Sequence, residues 1–209
     1  MKRHEDIVSI LFYQLKFFGE PTVVEIEALR EFAPKAQEVT QMSLGKCIGI
    51  PKVFNLLQTH HCIIFLYRLA KLLFEDGASS SLCEKLYLLN RMVNGVDLFY
   101  KIDMPQHFLV GHGLGTVFSN AVYGDYLVIF QNVTVGVQDG VYPTIGEQVV
   151  VYPNSVIAGR TLIGNNCIIG AGTRLINKTI PDNSVVYENG SKLIVKPNER
   201  SEIIKYFKI

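Results

Sequence analysis

One histidine stands in a segment that carries almost no other functional side chain, residues 109–122, "LVGHGLGTVFSNAV". His112 lies between Gly111 and Gly113, in a chain that has five histidines. A histidine can act as a general base near neutral pH, because its ring takes up and releases a proton there. Neighbours without side chains would leave room for two substrates to meet at the ring. The alternative is a histidine in a solvent-exposed turn, and the rest of the chain has to distinguish the two.

The composition describes a globular chain with ample apolar material for a core. Of its 209 residues, 48% are hydrophobic and 19% are charged, and the formal net charge is +1. Without a basic patch or a run of Lys and Arg, the chain lacks the electrostatic signature of a nucleic-acid-binding protein. The four cysteines have no CxxC spacing, which argues against a structural zinc site or a disulfide framework and predicts a reducing compartment: Cys47, Cys62, Cys83 and Cys167.

The N-terminal segment, "MKRHEDIVSILFYQLKFF", begins basic and becomes apolar, as a leader peptide would. Charged and polar residues interrupt its apolar run, however, and no small-residue cleavage site follows. The longest apolar run of the first half, residues 62–67, is too short to span a bilayer. We therefore predict a cytoplasmic protein without a transmembrane segment.

Apolar residues recur at helical spacing over residues 1–98, which predicts an α-helical N-terminal domain. A first helix ends before "FFGEPT". We expect a second helix to end at Pro34 and a third to run up to Gly45, because proline and glycine interrupt helices. The next helix should open at Pro51, where the first turn tolerates proline. A last helix has a serine cap and ends at Gly95.

The periodicity changes after residue 100. A period of two would indicate a strand and a period of 3.6 a helix, but here the period is six. It is typical of a parallel β-helix, whose coils have three short flat faces. The aliphatic side chain points into the coil, and small residues let the chain turn its corners. Six consecutive positions follow this rule without exception: Ile145, Val151, Ile157, Ile163, Ile169 and Leu175.

The same period can be followed upstream through Val117, Tyr123, Ile129 and Val135. The insertion "VQDGVYPT" then breaks its phase, and its Asp-Gly and Pro are turn residues. We therefore predict a loop near residues 137–144 that is extruded from the coil. A coil of this length would make roughly five turns.

These repeats resemble those of the left-handed β-helix acyltransferases. Together with the helical first half, "HGLGTVFSNAVYGDYLVIFQNVTVG" resembles the serine acetyltransferase branch, and within it the O-acetyltransferases of capsule, O-antigen and exopolysaccharide assembly. The resemblance implies an α+β fold. It has an α-helical domain at 1–98, a left-handed parallel β-helix that forms the catalytic domain at 99–192, and a C-terminal tail at 193–209. It also implies acetyl-CoA as the donor, a homotrimer or a dimer of trimers, and no metal.

The resemblance assigns catalytic roles to two residues. His112 and Gly115 match the family's HxxG, whose histidine deprotonates the acceptor hydroxyl, a group too weakly acidic to ionise alone. Asp103, in "KIDMPQH", corresponds to the aspartate that orients this ring. The remaining histidines of the two domains are expected to be structural. His107 should lie on the surface or at an interface, and the pair at 60–61 should be packed or capping.

The resemblance also locates the donor. "IIGAGTRLINKTIP" is similar to the family's last coil, which implies that Ala171 and Gly172 line the groove for the pantetheine arm. Asn177 and Lys178 would hold the nucleotide end, where a cation can meet phosphate.

Three further residues complete the expected site. Gly136 corresponds to a position near the thiol of the donor. Ser155 lies one coil below Thr173 and should face the same groove. Tyr142, on the predicted loop, is a candidate for contact with the acceptor or with a neighbouring subunit.

Departures from the serine acetyltransferase pattern bear on the acceptor. Serine acetyltransferases have an aspartate where this chain has Gly111, an Arg-His-Pro where it has residues 141–143, and an Asp-Pro-Ala motif that is absent from residues 45–60. These groups would bind the ammonium and carboxylate of an amino acid. We therefore predict a sugar or polysaccharide hydroxyl as the acceptor. The alternatives are O-acetylation of serine and N-acetylation of a nucleotide sugar.

Two other classes of protein are open to the sequence. A zinc carbonic anhydrase on such a coil uses three histidines, whereas the coil here offers only His107 and His112. A catalytically silent trimerisation rod would leave the glycines around His112 without a purpose. A flat-sided prism and a mean hydropathy of +0.22 favour association of copies in either case.

Overall fold

The computed structural model describes residues 7–209. The first six residues of the predicted helical domain, and with them the basic start of the N-terminal segment, lie outside the described residues. Within the described part of the chain, no helix is long and apolar enough to cross a membrane. Four α-helices come first: α1 (Ile7–Leu15), α2 (Val23–Gly45), α3 (Thr59–Glu75) and α4 (Ser80–Asn94).

Helix α2 is continuous through Pro34, so the prediction of two helices separated there is wrong. Proline removes one backbone hydrogen bond and costs about 3 kcal/mol in a helix interior. Tertiary packing offsets this cost, because Ala33 and Ala36 on either side are fully buried. The helix begins at a capping box in which the Thr22 and Glu25 side chains each accept a hydrogen bond from the other residue's backbone N–H.

Helix α3 begins at Thr59, eight residues after the proline that was expected to open it. Helix α4 ends as predicted, with Gly95 in the left-handed region at φ 65°. Helix α3 lies against the second half of the chain. Its Tyr67 hydroxyl donates to the carbonyl of Ile102 at 2.6 Å, and Arg68 donates to the carbonyl of Pro105 at 2.5 Å. These bonds fix α3 to the connection that leads into the coil.

The second half is a three-sided coil of five turns, and all its strand pairs are parallel except the last. Sheet A has the order β1 (Asp97–Leu98), β3 (Val117–Phe118), β6 (Thr134–Gly136), β9 (Val156–Ala158) and β12 (Arg174–Ile176). Sheet B has the order β4 (Val122–Tyr123), β7 (Thr144–Ile145), β10 (Leu162–Ile163) and β13 (Thr179–Ile180). Sheet C has the order β2 (Phe108–Gly111), β5 (Leu127–Phe130), β8 (Val150–Val151), β11 (Ile168–Ile169), β14 (Ser184–Asn189) and β15 (Lys192–Pro197). The predicted fold class, N-terminal helices followed by a left-handed parallel β-helix, is confirmed.

The six-residue period follows from the interior of this coil. The six aliphatic residues that set the period are at most 3% exposed, and the small residues two positions before them are fully buried as well. Each face therefore sends one large and one small side chain inward. Thr161 illustrates how the small polar ones are satisfied, since its hydroxyl donates to the carbonyls of Ala158 and Leu175.

The period fails at its upstream end. Val117 is 37% exposed, and its neighbour Phe118 takes the interior position at 4%. Phe118 precedes the next interior residue, Tyr123, by five positions instead of six, so the interior position shifts from Val117 to Phe118. The first complete coil is therefore one residue shorter at this corner than the repeats that follow.

The C-terminal residues cover the outer surface of sheet C. After the antiparallel β14–β15 pair, a short 3-10 helix (Glu202–Lys205) leads to Phe207, which is buried against the ring of Tyr126. The Tyr152 hydroxyl donates to the Glu202 carboxylate at 2.9 Å. Backbone bonds then tie the end of the chain to the end of α2, where Lys208 donates to the carbonyl of Lys46. The tail thus joins the helical part to the coil.

Candidate functional site

His112 lies on a corner of the coil that is two residues longer than the corner above it. Gly111 pairs with Phe130 and Val117 with Thr134, so six positions cover the lower corner where four cover the upper one. His112 takes a left-handed conformation at φ 58° to make this expanded turn. Non-glycine residues rarely adopt this conformation. The local sequence "GHGLG" therefore displays the histidine on the outside of the edge between sheets C and A.

The glycines around His112 do not provide clearance for substrates, and this expectation is wrong. A Cβ on Gly111 would lie 2.7 Å from the Phe130 ring, and one on Gly113 would lie 2.7 Å from Ile63 of α3. Gly115 has φ 72°. Protein atoms fill the space beside the first two glycines, and backbone conformation requires the third. The glycines bring the expanded corner close to α3 and to sheet C.

The open space at His112 is a cavity of about 430 Å³ between the corner, the start of α3 and the end of α4. Helix α3 begins there without a side-chain cap. None of the side chains that line the cavity is a carboxylate or a lysine or arginine. They are Gln58, Thr59, His60, Val93, Asn94, His112 and Leu114. A substrate that enters this cavity meets neutral hydrogen-bonding groups and two imidazoles.

His60 also lines this cavity, although its sequence context predicts a structural histidine. Its Nδ1 lies 2.9 Å from the carbonyl oxygen of Val110, two residues before His112 on the same run of chain. His61, by contrast, is packed as predicted. It is 1% exposed and stacks on Phe54, and burial lowers its pKa. The local sequence does not distinguish these adjacent histidines, since their environments differ only because one of them faces the coil.

Asp103 and His112 are not brought together. The Asp103 carboxylate pairs with Lys71 of α3 at 2.5 Å, and its side chain is 89% exposed. It does not line the His112 cavity. The pair with Lys71 holds Asp103 on the outer side of α3, so the predicted orienting role has no contact to support it in this structure.

His107 is the histidine that does have a carboxylate partner. Its Nδ1 lies 2.9 Å from Asp125, whose other oxygen accepts the His107 backbone N–H. Burial alone would raise the pKa of the Asp125 carboxyl, but the hydrogen bonds from His107 outweigh it and lower that pKa. The His107 ring stacks on Tyr126 at 4.7 Å and the residue is 8% exposed. Of the two predicted positions, a surface or an interface, the surface is wrong, because His107 joins two coils beneath the C-terminal tail.

The residues predicted to hold the donor divide between two edges of the coil. Ala171 and Gly172 lie on the edge between sheets C and A, which is also the edge of His112. Gly172 has φ 74° and continues a column of left-handed residues, with Asn132 and Asn154 below it, that turn this corner in successive coils. Open space lies beside the missing Cβ of Gly172. This edge therefore offers an accessible backbone surface.

The other predicted donor residues lie on the edge between sheets A and B. Gly136 sits beside Ala158 at the end of β6, and Lys178 is exposed just before β13. The Asn177 amide donates to Gln138 at 3.1 Å and so fastens the coil to the extruded loop. Tyr142 is 44% exposed on that loop.

The loop itself is a tight hairpin. Gln138 and Val141 exchange both backbone hydrogen bonds, and Asp139 and Gly140 between them have φ 52° and 74°. Two consecutive left-handed residues with an Asp-Gly sequence are characteristic of a type I′ turn. The predicted extrusion from the coil is thus present, and its turn is a defined one.

Ser155 requires a correction. It does lie one coil below Thr173, but both side chains face the interior and both residues are fully buried. The Ser155 hydroxyl donates to the carbonyls of Tyr152 and Gly170. The spacing correctly predicted that Ser155 and Thr173 lie in one column along the coil, but this column faces the interior instead of the surface. The Ser155 side chain therefore cannot contact a ligand in a surface groove.

Comparison with known proteins agrees with this architecture. A model of the bacterial transferase hexapeptide (six repeats) matches residues 142–177. A serine acetyltransferase of Synechococcus elongatus is 35% identical over 47% of this chain and 42% of its own length. The solved serine acetyltransferase of Neisseria gonorrhoeae in complex with serine is 26% identical, with a TM-score of 0.68 over 93% of this chain and 85% of that one. The serine acetyltransferase of Vibrio cholerae reaches a TM-score of 0.72 at 19% identity over 95% and 81%.

These relatives overturn the predicted acceptor. The solved structures, and the curated relatives that match the largest part of this chain, are serine acetyltransferases, whereas the curated relatives named bifunctional protein GlmU match only about a fifth of it. The prediction of a sugar or polysaccharide hydroxyl is therefore wrong, and kinship with capsule enzymes is not supported. The argument from Gly111 also fails on structural grounds, because Phe130 occupies the space that an aspartate side chain would need. The chain spans between about two-fifths and two-thirds of the length of the curated serine acetyltransferases that it matches first. The chain has the left-handed β-helix fold of hexapeptide-repeat transferases and is similar to serine acetyltransferases.

Proposed function

We propose that this protein transfers the acetyl group of acetyl-CoA to the hydroxyl of serine, with His112 as the general base. The observation that carries the proposal is the expanded corner, which holds His112 in a left-handed conformation at the mouth of a cavity large enough for an amino acid. Its similarity to serine acetyltransferases, one of them solved with serine bound, supports serine as the acceptor.

The reaction needs few groups. The His112 imidazole removes the proton of the serine hydroxyl as its oxygen attacks the thioester carbonyl carbon. A C–O bond forms, and the negative charge on the carbonyl oxygen is stabilised by a backbone N–H of a neighbouring coil. The intermediate collapses when its C–S bond breaks. The departing thiolate takes the proton from the imidazolium, which leaves O-acetylserine, CoA and neutral His112.

The donor residues are proposals of the same kind. Ala171 and Gly172 would line the pantetheine arm, where exposed backbone is available on the His112 edge. Gly136 would lie near the thiol, and Asn177 and Lys178 would meet the nucleotide end. Tyr142 would border the acceptor. Lys178 makes no ion pair with any other described residue, so its ammonium is free to meet a phosphate.

The division of these residues over two edges supports a homotrimer. The two edges flank sheet A on opposite sides in one chain, whereas in a trimer the His112 edge of one copy can face the Gly136 edge of the next. Exposed apolar side chains on sheets A and B, such as Val122, Leu162 and Ile176, would then be covered. The solution mass should be three times the 23.5 kDa of one chain. All four cysteines are free and buried, which supports the predicted reducing compartment.

A direct test measures CoA release from acetyl-CoA with L-serine. The variant His112→Asn is preferable to alanine, because asparagine tolerates φ 58° and keeps the corner intact. We expect it to lower kcat by about 10²- to 10⁴-fold. The control is His107→Asn, which removes a histidine of the same coil that lies outside the cavity. Turnover of serine that survives in His112→Asn would refute the assignment of the base.

The trimer has its own test. The single variants His112→Asn and Lys178→Glu should each lose some or all of their activity, and the two substitutions lie on different edges of the coil. Mixed oligomers refolded from both chains should regain activity above the sum of the separate preparations, because some interfaces then combine two intact edges. Strict additivity would show that each site lies within one chain.

A further inference from the structure

We infer that His60 binds the amino group of the acceptor and so selects a hydroxy amino acid over a hydroxy acid that lacks the amine. This inference rests on the proposed function and names a residue for which neither the sequence pattern nor the relatives supply a role. It starts from two facts, the hydrogen bond that the ring makes and the cavity that it lines.

The hydrogen bond fixes the ring's protonation pattern. The Val110 carbonyl oxygen can only accept, so Nδ1 of His60 carries the hydrogen at 2.9 Å. In the neutral ring Nε2 is then the bare nitrogen, a hydrogen-bond acceptor and not a donor. No other described residue makes a hydrogen bond to this ring, so Nε2 is available to a ligand.

The cavity gives this acceptor its significance. An ammonium group loses its water on entering a site and must find acceptors there. No carboxylate lines the cavity, so a neutral acceptor has to serve, and the bare nitrogen of His60 is one. His60 meets the requirement in both type and position, and it does so without adding a negative charge that would oppose the approach of a charged donor such as acetyl-CoA.

The spacing suits a small amino acid. His60 is anchored at the carbonyl of Val110, two positions before His112, and both imidazoles line the same cavity. The amino and hydroxyl groups of serine are on adjacent carbons, and each would make a hydrogen bond of about 3 Å, the first with His60 and the second with His112. A single three-carbon molecule can therefore contact both imidazoles.

The competing explanation is that His60 only anchors the strand to α3. Two substitutions separate these roles. His60→Asn keeps an N–H where Nδ1 stood and can still donate to Val110, but it has no atom where Nε2 stood. His60→Gln extends its amide to the position of Nε2, where its oxygen can accept, and loses the donor to Val110.

The experiment measures the KM and kcat for L-serine, and the inhibition constant of 3-hydroxypropanoate, which is serine without its amine. We expect His60→Asn to raise the KM for serine about tenfold or more, since the bond involves a charged donor. The kcat and the inhibition constant should change by less than about threefold, and His60→Gln should retain most of the serine affinity. Thermal unfolding of both variants checks that the fold is intact.

The outcomes distinguish the inference from the proposed function. If the native protein acetylates serine and His60→Asn leaves its KM unchanged, the inference is refuted and the proposed function stands. If His60→Asn weakens serine and 3-hydroxypropanoate by the same factor, His60 is an anchor and the inference is again refuted. If the native protein releases no CoA with serine, both the proposed function and this inference are refuted.

Discussion

The packing of Gly111 against Phe130 can be tested by adding one methyl group. In Gly111→Ala the new Cβ would lie 2.7 Å and 2.8 Å from two carbons of the Phe130 ring. Carbon atoms in contact normally stand about 3.5 to 4.0 Å apart, so a gap of roughly 1 Å must open. The ring has little freedom to retreat, because it stacks on Tyr152 at 5.4 Å and contacts Tyr206 of the tail edge to face.

The expected cost is that of overpacking a well-filled site, about 1 to 3 kcal/mol in the free energy of unfolding. A double-mutant cycle separates this contact from other effects. Phe130→Val removes the ring and destabilises by itself, but Gly111→Ala should cost much less in its presence. We expect a coupling free energy of about 1 to 2 kcal/mol between the two substitutions, measured by urea unfolding followed by circular dichroism.

The result that would refute this reasoning is additivity, with Gly111→Ala equally costly whether or not the ring is present. The cycle also bears on the acceptor. Gly111→Asp should destabilise at least as much as alanine and should not lower the KM for serine. A stable Gly111→Asp variant with tighter serine binding would mean that the missing carboxylate, and not the ring, explains the glycine.

Three further substitutions test the fold. Phe207→Ala should destabilise the protein by about 3 to 5 kcal/mol and expose the tail to limited proteolysis, because the ring is 1% exposed. Pro34→Ala restores a helix hydrogen bond at an exposed position and should raise the unfolding free energy by about 1 to 3 kcal/mol. Asp125→Asn removes a carboxyl whose pKa is lowered in the folded state, so its contribution is present at neutral pH and is lost as the pH falls below the ordinary pKa of an aspartate. The stability difference between the native protein and Asp125→Asn should therefore shrink as the pH falls from about 5 through the lowered pKa of Asp125, and a constant difference would contradict the role of the His107 pair.

The interior of the coil could be predicted residue by residue, whereas the helices could not. In a repeating coil the environment of each position depends on neighbours at a fixed offset. The period alone therefore predicts that Ile157 and Leu175 face the interior. Where the offset changes, as at Val117, the prediction slips by one residue. Helix boundaries depend on tertiary contacts instead. Pro34 lies within a helix because buried alanines flank it, and a single sequence does not reveal that packing.

The candidate site divides in the same way. His112 is predictable because a repeat and a local motif both point to it. His60 is not, since its role arises only when α3 packs against β2 and turns one of two adjacent histidines toward the coil. Ser155 shows the opposite failure, in which the correct column was found but the direction of its side chains was not. A spacing of one coil determines which residues share a column, and the alternation of side chains along the extended backbone, which puts Ser155 on the same side as Ile157, determines which side they face.

The backbone at His112 gives the strongest argument that its side chain is functional. Nine non-glycine residues among those described have a positive φ, and five of them are asparagine, the residue type that best tolerates this conformation. A histidine at φ 58° costs more than asparagine would, and among the described residues its ring makes no hydrogen bond that would offset the cost. His112→Asn should therefore unfold at a temperature equal to or above that of the native protein while losing activity. A structural turn histidine would show the reverse, with stability lost and activity kept, and thermal unfolding measured beside the CoA-release assay distinguishes the two.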